Sequence, residues 1–342
     1  MPCVLFGVFL SMLGSMALMK PRATGEEKVV REIKSTFAGQ RTHSLRVGMG
    51  DDAALWQAGR SQDTILTCDW FLEGTHFLRD KHPPDAVGWK SLARAASDIA
   101  AMGGTPRCFL LSLALPVNRT GKWLRSFLRG LRRASRALLC PLAGGDTTRR
   151  NEILINITVI GEVPAGHAVL RSGAQAGDLL YVSGTLGEAE LGLRELRRER
   201  GTPKASSNSF IRKHLYPEPR FALGQWLAKN RLATAMMDLS DGLSSDLPRL
   251  CSESGLGACI KASSLPCVLR RDAKNPTKLA LNGGDDYELL FAVRPRNVSK
   301  IGTDFHGLPL TRIGKVTRER KILVELDGKS RPLISAGWDP FR

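Results

Sequence analysis

The chain has 342 residues, of which 42% are hydrophobic and 6% are aromatic, and it carries a formal net charge of +17. This length and apolar content exclude an intrinsically disordered chain and are sufficient for two domain cores. The seven cysteines include no C-x-x-C pair, and an H-E-x-x-H motif is absent. The composition therefore argues against a disulfide framework or a zinc site and favours free thiols in a reducing cytoplasm.

An apolar segment, residues 1–20, opens the chain, and its first charged residue is Lys20. A secretory signal carries positive charge before its apolar run, and a membrane span usually needs about 20 apolar residues. Glycines and serines interrupt this segment. We therefore interpret residues 1–20 as an apolar N-terminal extension, with membrane contact as the alternative.

Hydrophobic periodicity and helix-stop signals predict the elements of the first half. In chain order they are a helix over 25–37, a strand over 64–68, a helix from Pro83 to Met102, a strand over 107–115, a helix over 122–139 and a strand over 153–163. The long helix should end at Gly103-Gly104, because glycine is the usual residue after a helix C-terminus.

A second series of strands and helices follows a predicted domain junction at residues 164–177. Its helices are predicted over 187–200 and 218–230 and from 242 to 254, and its strands from 178 and over 233–237, 286–293 and 310–316. Alternation of strands and helices in both halves predicts an α+β fold with mixed sheets. We expect an N-terminal domain over 21–165, a C-terminal domain over 166–342 and a cleft between them.

Acidic residues recur in this chain at glycine-flanked turns, among them Gly144–Asp146. The principal ones are Asp52, Asp69, Asp98, Asp146, Asp238 and Asp241. In so basic a chain they favour sites for divalent cations that in turn hold phosphates, and Mg²⁺ prefers such oxygen ligands. Ordinary turn chemistry is the alternative for any single Gly-Asp pair. Asp98 is different, because it lies inside an alanine-rich helical run.

Arginine-rich helical stretches, residues 122–136 and 194–200, hold much of the positive charge. Solvated helix faces are the preferred interpretation, and a nucleic-acid surface is the alternative. Aromatic residues are not interleaved with these charges as they are in single-strand binders. Neither a G-x-x-x-x-G-K-[ST] nor a G-x-G-x-x-G motif occurs, which argues against a P-loop or dinucleotide fold.

Taken in order, the acidic motifs resemble those of the thiamine-monophosphate kinase family. The matching segments are Gly48–Leu55, Thr67–Phe77, Ser97–Gly103, Gly144–Thr148, Arg171–Ala174, Asp238–Gly242, Gly283–Leu289 and Gly337–Phe341. Each motif alone is weak, but the ordered set is specific. The resemblance implies two PurM-like α+β domains, a homodimer formed through the N-terminal sheets, and ATP binding without a P-loop. It also implies transfer of phosphate from ATP to thiamine monophosphate, which gives thiamine diphosphate.

Site residues follow from the resemblance position by position. It implies that several Mg²⁺ ions are held by Asp52, Thr67, Cys68, Asp69, Asp98, Asp146, Asp238 and Asp241. It implies that ATP contacts Gly145, Asp146, Arg171 and Ser240, and that thiamine monophosphate contacts His76, Asp285 and Trp338. No catalytic residue is implied beyond metal-assisted transfer. Outside the motifs, His76 and Trp338 would be read as ordinary structural residues.

Two site positions depart from the family pattern. Cys68 stands where the family often has threonine, which is compatible with a backbone ligand, and Asp285 replaces the usual glutamate. Three other functions are the alternatives. Aminoimidazole ribonucleotide synthetase would have Gly-Gly-Glu-Thr in place of Gly144–Thr147, and selenophosphate synthetase needs a reactive cysteine setting that Cys3 lacks. A non-catalytic basic module would bind nucleic acid in a salt-dependent manner.

Overall fold

In a computed structural model of the chain, the structure describes residues 45–47, 51–57, 61–199, 208–268 and 275–341. The predicted extension over 1–20 and the predicted helix over 25–37 lie outside the described residues. Within the described ranges, no helix is long and apolar enough to cross a membrane. The six cysteines in these ranges are free thiols.

Fourteen strands and seven α-helices are described. The strands are β1 (Leu45–Val47), β2 (Ala54–Trp56), β3 (Gln62–Leu72), β4 (Thr105–Leu115), β5 (Leu142–Arg149), β6 (Leu154–Pro164), β7 (Leu179–Ser183), β8 (Ala233–Asp238), β9 (Gly257–Lys261), β10 (Leu289–Val293), β11 (Asp304–Phe305), β12 (Leu308–Thr317), β13 (Ile322–Leu326) and β14 (Lys329–Pro332). The helices are α1 (Pro84–Ala101), α2 (Lys122–Ala137), α3 (Glu188–Arg198), α4 (Ser209–Leu215), α5 (Phe221–Lys229), α6 (Leu243–Glu253) and α7 (Pro276–Asn282).

The strands form two sheets, one from each half of the chain. The first has the order β1-β2-β3-β6-β4-β5, and the second has the order β14-β13-β9-β12-β7-β10-β8, with β11 paired to β12. Each sheet is mixed: β4 and β5 are parallel in the first, and β9 and β13 are parallel in the second. The predicted α+β class with mixed sheets is confirmed.

One face of the first sheet packs on α1. Along β3, the side chains at odd positions from Asp63 to Phe71 turn toward α1, whereas those at even positions turn to the opposite face. Ile65, Phe109 and Ile157 are fully buried in the resulting core. The alternation matters for function, because it points Thr67 and Asp69 to the helix side of the sheet.

The opposite face of the first sheet is open. It carries the exposed side chains of Trp56, Trp70 and Leu110, and Cys68 lies among them. No described helix covers this face. Strand β5 extends it at the edge of the sheet, and all eight of its residues are exposed.

Helix α1 is the central element of the fold, and thirteen of its residues are buried. Its first half packs on α2 at a crossing without intervening side chains. A Cβ atom at Gly88 would lie 2.1 Å from the carbonyl oxygen of Phe127, and one at Gly130 would lie 1.8 Å from that of Asp85. The C-terminal residue of α1, Ala101, joins the second sheet's core through α5.

Most of the predicted helices and strands are present, and three differences have clear causes. Gly144–Asp146, interpreted as a turn, lies inside β5 because that segment pairs with β4. Helix α5 begins at Phe221 rather than at Glu218, since a residue before proline disfavours helical geometry. Strand β10 begins at Leu289 because Asp285 and Tyr287 have φ values of +66° and +51°.

Candidate active site

Three carboxylates from distant parts of the sequence meet beside α1. Asp52 lies between β1 and β2, Asp98 lies in the last turns of α1, and Asp238 is the last residue of β8. One oxygen atom from each lies within 4.8 Å of the others. The first and second halves of the chain therefore both contribute to one acidic centre.

This centre is electrostatically strained. Burial and the charges of the neighbouring aspartates raise the pKa of Asp98 well above its usual range. Burial and Asp52 likewise raise the pKa of Asp238 to about 7, although Arg171 acts in the opposite direction. Because like charges repel strongly at short range, a bound divalent cation would relieve this cost. An all-oxygen donor set of this kind fits Mg²⁺ rather than a softer metal.

Positively charged and hydroxyl groups hold the carboxylates in place. Arg171 donates from Nε and Nη2 to the two oxygens of Asp52, at 2.9 and 2.6 Å. Its backbone N–H donates to Asp51, whose pKa is raised to about 6 by burial and by Asp52. Thr67 Oγ1 donates to Asp98 at 2.5 Å. The sequence did not single out Asp51, although it directly precedes Asp52.

Asp69 lies close to the acidic centre on β3, and it raises the pKa of both Asp98 and Asp238. It lies in mid-strand rather than at a strand end, since β3 continues to Leu72. The Cys68 side chain turns to the open face, where its sulfur lies 3.1 Å from Asn156 Nδ2. Only the backbone of Cys68 therefore lies near the acidic centre.

Two other predicted metal ligands, Asp146 and Asp241, are not members of the three-carboxylate group among the described residues. Asp146 is exposed on β5, and its carboxylate accepts from the N–H of Thr147 at 2.8 Å. Asp241 is paired with Arg249, which also binds Asp246. Gly145, next to Asp146, allows β5 to approach β4, because a Cβ atom there would lie 1.9 Å from the carbonyl oxygen of Leu111.

The residues predicted to contact thiamine monophosphate form a second group beside the first. The rings of His76 and Trp338 lie 6.4 Å apart, and the indole is 45% exposed. His76 Nδ1 accepts from the N–H of Leu72 at 3.0 Å. Burial and Arg94 lower the pKa of His76 to about 4, so its imidazole is neutral at pH 7.

Asp285, the third member of this group, has a strained backbone that is fixed by hydrogen bonds. Its N–H donates to the carbonyl oxygen of Ser240 at 2.7 Å, so a predicted ATP residue adjoins a predicted acceptor residue. Its carboxylate accepts from Lys90 Nζ at 2.8 Å and from the hydroxyl of Tyr287 at 3.0 Å. Burial alone would raise the pKa of Asp285, but Lys90 and His214 hold it below its usual range.

Sequence reasoning missed three buried cationic or imidazole groups in this region: Lys90, Arg94 and His214. Lys90 is fully buried, and His214 Nδ1 lies 3.3 Å from Lys90 Nζ. A signal for two of them was available. Positions 90, 94 and 98 are four residues apart, so a predicted helix bearing Asp98 must present Lys90 and Arg94 on the same face.

Protein-family models, individual proteins and a solved structure are all similar to this chain over most of its length. A model of the N-terminal domain of AIR synthase related proteins matches residues 50–163, and one of the C-terminal domain matches residues 175–327. The chain is 37% identical over 305 residues to the thiamine-monophosphate kinase of Escherichia coli (strain K12), which covers 87% of this chain and 92% of that protein. It is 34% identical to that of Bacillus subtilis (strain 168) over 308 residues, covering 87% and 94%. A solved structure of AaThiL complexed with AMPPCP and TMP superposes with a TM-score of 0.81 at 32% identity and covers 94% of this chain and 100% of that chain.

Proposed function

Because this chain belongs to the thiamine-monophosphate kinase family, we propose that it transfers the γ-phosphate of ATP to thiamine monophosphate and so forms thiamine diphosphate. The observation that carries the proposal is the group of Asp52, Asp98 and Asp238 beside His76, Asp285 and Trp338. A site for cations that hold phosphates thus adjoins a site with an aromatic wall and a carboxylate. These are the features that a phosphorylated, cationic aromatic acceptor requires.

The proposed reaction requires little proton transfer by residues of the protein. The acceptor phosphate is largely dianionic near pH 7, since its second pKa is about 6, so its attacking oxygen already carries negative charge. Several Mg²⁺ ions held by the acidic residues would neutralise the repulsion between the two phosphates. The residues of the chain would hold both substrates in line. Arg171 donates from Nε and Nη2 to Asp52, so its remaining N–H donors would contact the ATP phosphates. Trp338 would cover the thiamine ring, and Asp285 would face its polar groups.

The proposal also covers the domain boundaries and the cellular location of the protein. We assign the N-terminal domain to residues 21–165 and the C-terminal domain to residues 166–342. A cytoplasmic location agrees with free cysteine thiols.

A direct assay tests the function. The protein is incubated with ATP, Mg²⁺ and thiamine monophosphate, and thiamine diphosphate is separated by chromatography. Unphosphorylated thiamine serves as the control acceptor, and a reaction without Mg²⁺ serves as the control for the cation. Formation of thiamine diphosphate only with the monophosphate and Mg²⁺ is the expected result. Hydrolysis of ATP without product would contradict the proposal.

Magnesium binding should depend on pH, because the cation competes with protons for Asp98 and Asp238. A carboxyl group with a raised folded-state pKa stabilises the metal-free fold below its ordinary value of 3.8, and that contribution is lost as the pH rises to about 7. We expect saturating Mg²⁺ to raise the melting temperature more at about pH 8 than at about pH 6. Thermal denaturation with and without Mg²⁺ measures this difference. Asp238→Asn should reduce it, and equal shifts at both pH values in the wild type would refute the assignment.

The homodimer is proposed from the open face of the first sheet, which presents Trp56, Trp70 and Leu110 to solvent. Exposed apolar side chains grouped on one sheet face are typical of an interaction surface, and a second copy of the same sheet would cover them. We expect a wild-type mass near twice 37.4 kDa in size-exclusion chromatography with light scattering. Trp70→Glu and Leu110→Glu should shift the protein to monomer, since each places a buried charge in the interface. Leu326→Glu, on the second sheet, is the matched control, and a monomeric wild type would refute the proposal.

A further inference from the structure

Helix α1 presents three charged residues in one row, four positions apart: Lys90, Arg94 and Asp98. With a rise of 1.5 Å per residue, the row spans about 12 Å. Lys90 contacts Asp285 at one end, and Asp98 joins the acidic centre at the other. Arg94 therefore lies midway between the residues proposed to hold the thiamine ring and those proposed to hold Mg²⁺.

The guanidinium group of Arg94 is held in place, but not all of its N–H donors have an acceptor in the part of the chain that the structure describes. Its Nε donates to Asp69 Oδ2 at 2.9 Å, and its Nη2 lies 3.5 Å from Asp69 Oδ1. Its Cζ lies 5.4 Å from the centre of the Phe71 ring, and the side chain is only 13% exposed. Among the described residues, none accepts a hydrogen bond from Nη1. A guanidinium has five N–H donors, so this one retains donors for a ligand.

The position of Arg94 and its remaining donors indicate what that ligand is. Burial would lower the pKa of Arg94, but the carboxylates of Asp69 and Asp285 raise it, so the guanidinium is charged. An acceptor with its ring at Trp338 and its reacting oxygen facing the acidic centre would place its phosphate about one helical turn, roughly 6 Å, from Asp98 and beside Arg94. A planar guanidinium binds phosphate oxygens with two parallel hydrogen bonds, which a lysine cannot do.

We propose that Arg94 binds the phosphate of thiamine monophosphate and thereby selects a phosphorylated acceptor over free thiamine. This inference rests on the proposed function. Asp69 neutralises the guanidinium in this structure, and it is also a proposed ligand of Mg²⁺. If Asp69 served as a ligand of Mg²⁺, the acceptor phosphate would supply the negative charge that Arg94 requires. One arginine thus couples acceptor binding to the metal site.

Equilibrium binding of thiamine monophosphate and of thiamine, measured by calorimetry without ATP, tests the proposal. Arg94→Met should weaken binding of the monophosphate by about tenfold or more and leave binding of thiamine unchanged, since a charge-assisted hydrogen bond is lost. Arg94→Lys should retain part of the preference, because it keeps the charge but not the fork. In steady-state assays the KM for thiamine monophosphate should rise, while that for ATP should not. Arg125→Met, on the exposed face of α2, is the matched control.

Unchanged binding of the monophosphate by Arg94→Met would overturn the proposal, and so would an equal loss for both ligands. If Arg94→Met does not fold, Arg94→Lys carries the same comparison, and an unaltered preference in it overturns the proposal. A wild-type protein that binds neither ligand would contradict the proposed function itself, and this inference with it. A wild-type protein that forms product while Arg94→Met keeps its full preference would contradict the inference alone.

Discussion

In the variants Asp98→Asn and Asp238→Asn, we expect turnover to fall by about 10²–10³-fold, the size of loss seen when one electrostatic group is removed from a reacting centre. Both carboxylates belong to the group whose oxygens lie within 4.8 Å of one another. A neutral amide retains the shape of the side chain but cannot help hold Mg²⁺ against phosphate repulsion. Steady-state kinetics at saturating Mg²⁺ measure the effect.

The same substitutions should leave the fold intact, because they remove like-charge repulsion from a buried centre. We expect the melting temperature of each metal-free variant to equal or exceed that of the wild type. Asp327→Asn, in the exposed turn between β13 and β14, is the matched control. Near-normal turnover in either active-site variant would show that its carboxylate is not needed to hold Mg²⁺.

Lys90→Met should lower the free energy of unfolding by about 3 kcal/mol, because it leaves Asp285 charged without its nearest partner. The Lys90 side chain is 1% exposed and that of Asp285 is 30% exposed, so we place the loss at the lower end of the range for buried pairs. Urea denaturation measures it. Lys315→Met, an exposed position on β12, is the matched control.

A double-mutant cycle separates the ion pair from simple loss of packing. Lys90→Met with Asp285→Asn removes both charges, so the double variant should recover part of the stability that Lys90→Met loses. If the two single losses simply add, Lys90 and Asp285 do not stabilise the fold as a pair.

The sequence was sufficient for the elements with strong local signals. Helix α1 was predicted from Pro83 to Met102 and is observed over Pro84–Ala101, since proline at its start and glycine after its end mark its limits. Strands β4 and β6 were likewise predicted within a few residues, because their apolar runs face a helix. These elements carry the residues that the ordered motifs identified.

Other parts of the site depend on contacts between distant segments, and the sequence could not predict them. Strand β5 has eight exposed residues and therefore no hydrophobic alternation, and only its pairing with β4 makes it a strand. Helix α4 is short, although Asn208 caps it by accepting from the N–H groups of Phe210 and Ile211. The pairing of Lys90 with Asp285 joins residues 195 positions apart, which no local pattern predicts.

The crossing of α1 and α2 fixes more than the packing of two helices. At Gly88 and Gly130 the two backbones are in contact without a side chain between them. No side chain can therefore rearrange there to compensate for a shift of one helix against the other. Lys90, Arg94 and Asp98 project from one rigid helix, and the crossing fixes the rotation of that helix about its own axis. A methyl group added at either glycine would turn all three charges together. Changes at this crossing should therefore alter the preference for the acceptor and the affinity for Mg²⁺ together, in evolution or in engineering, because both depend on the rotation of α1 about its axis.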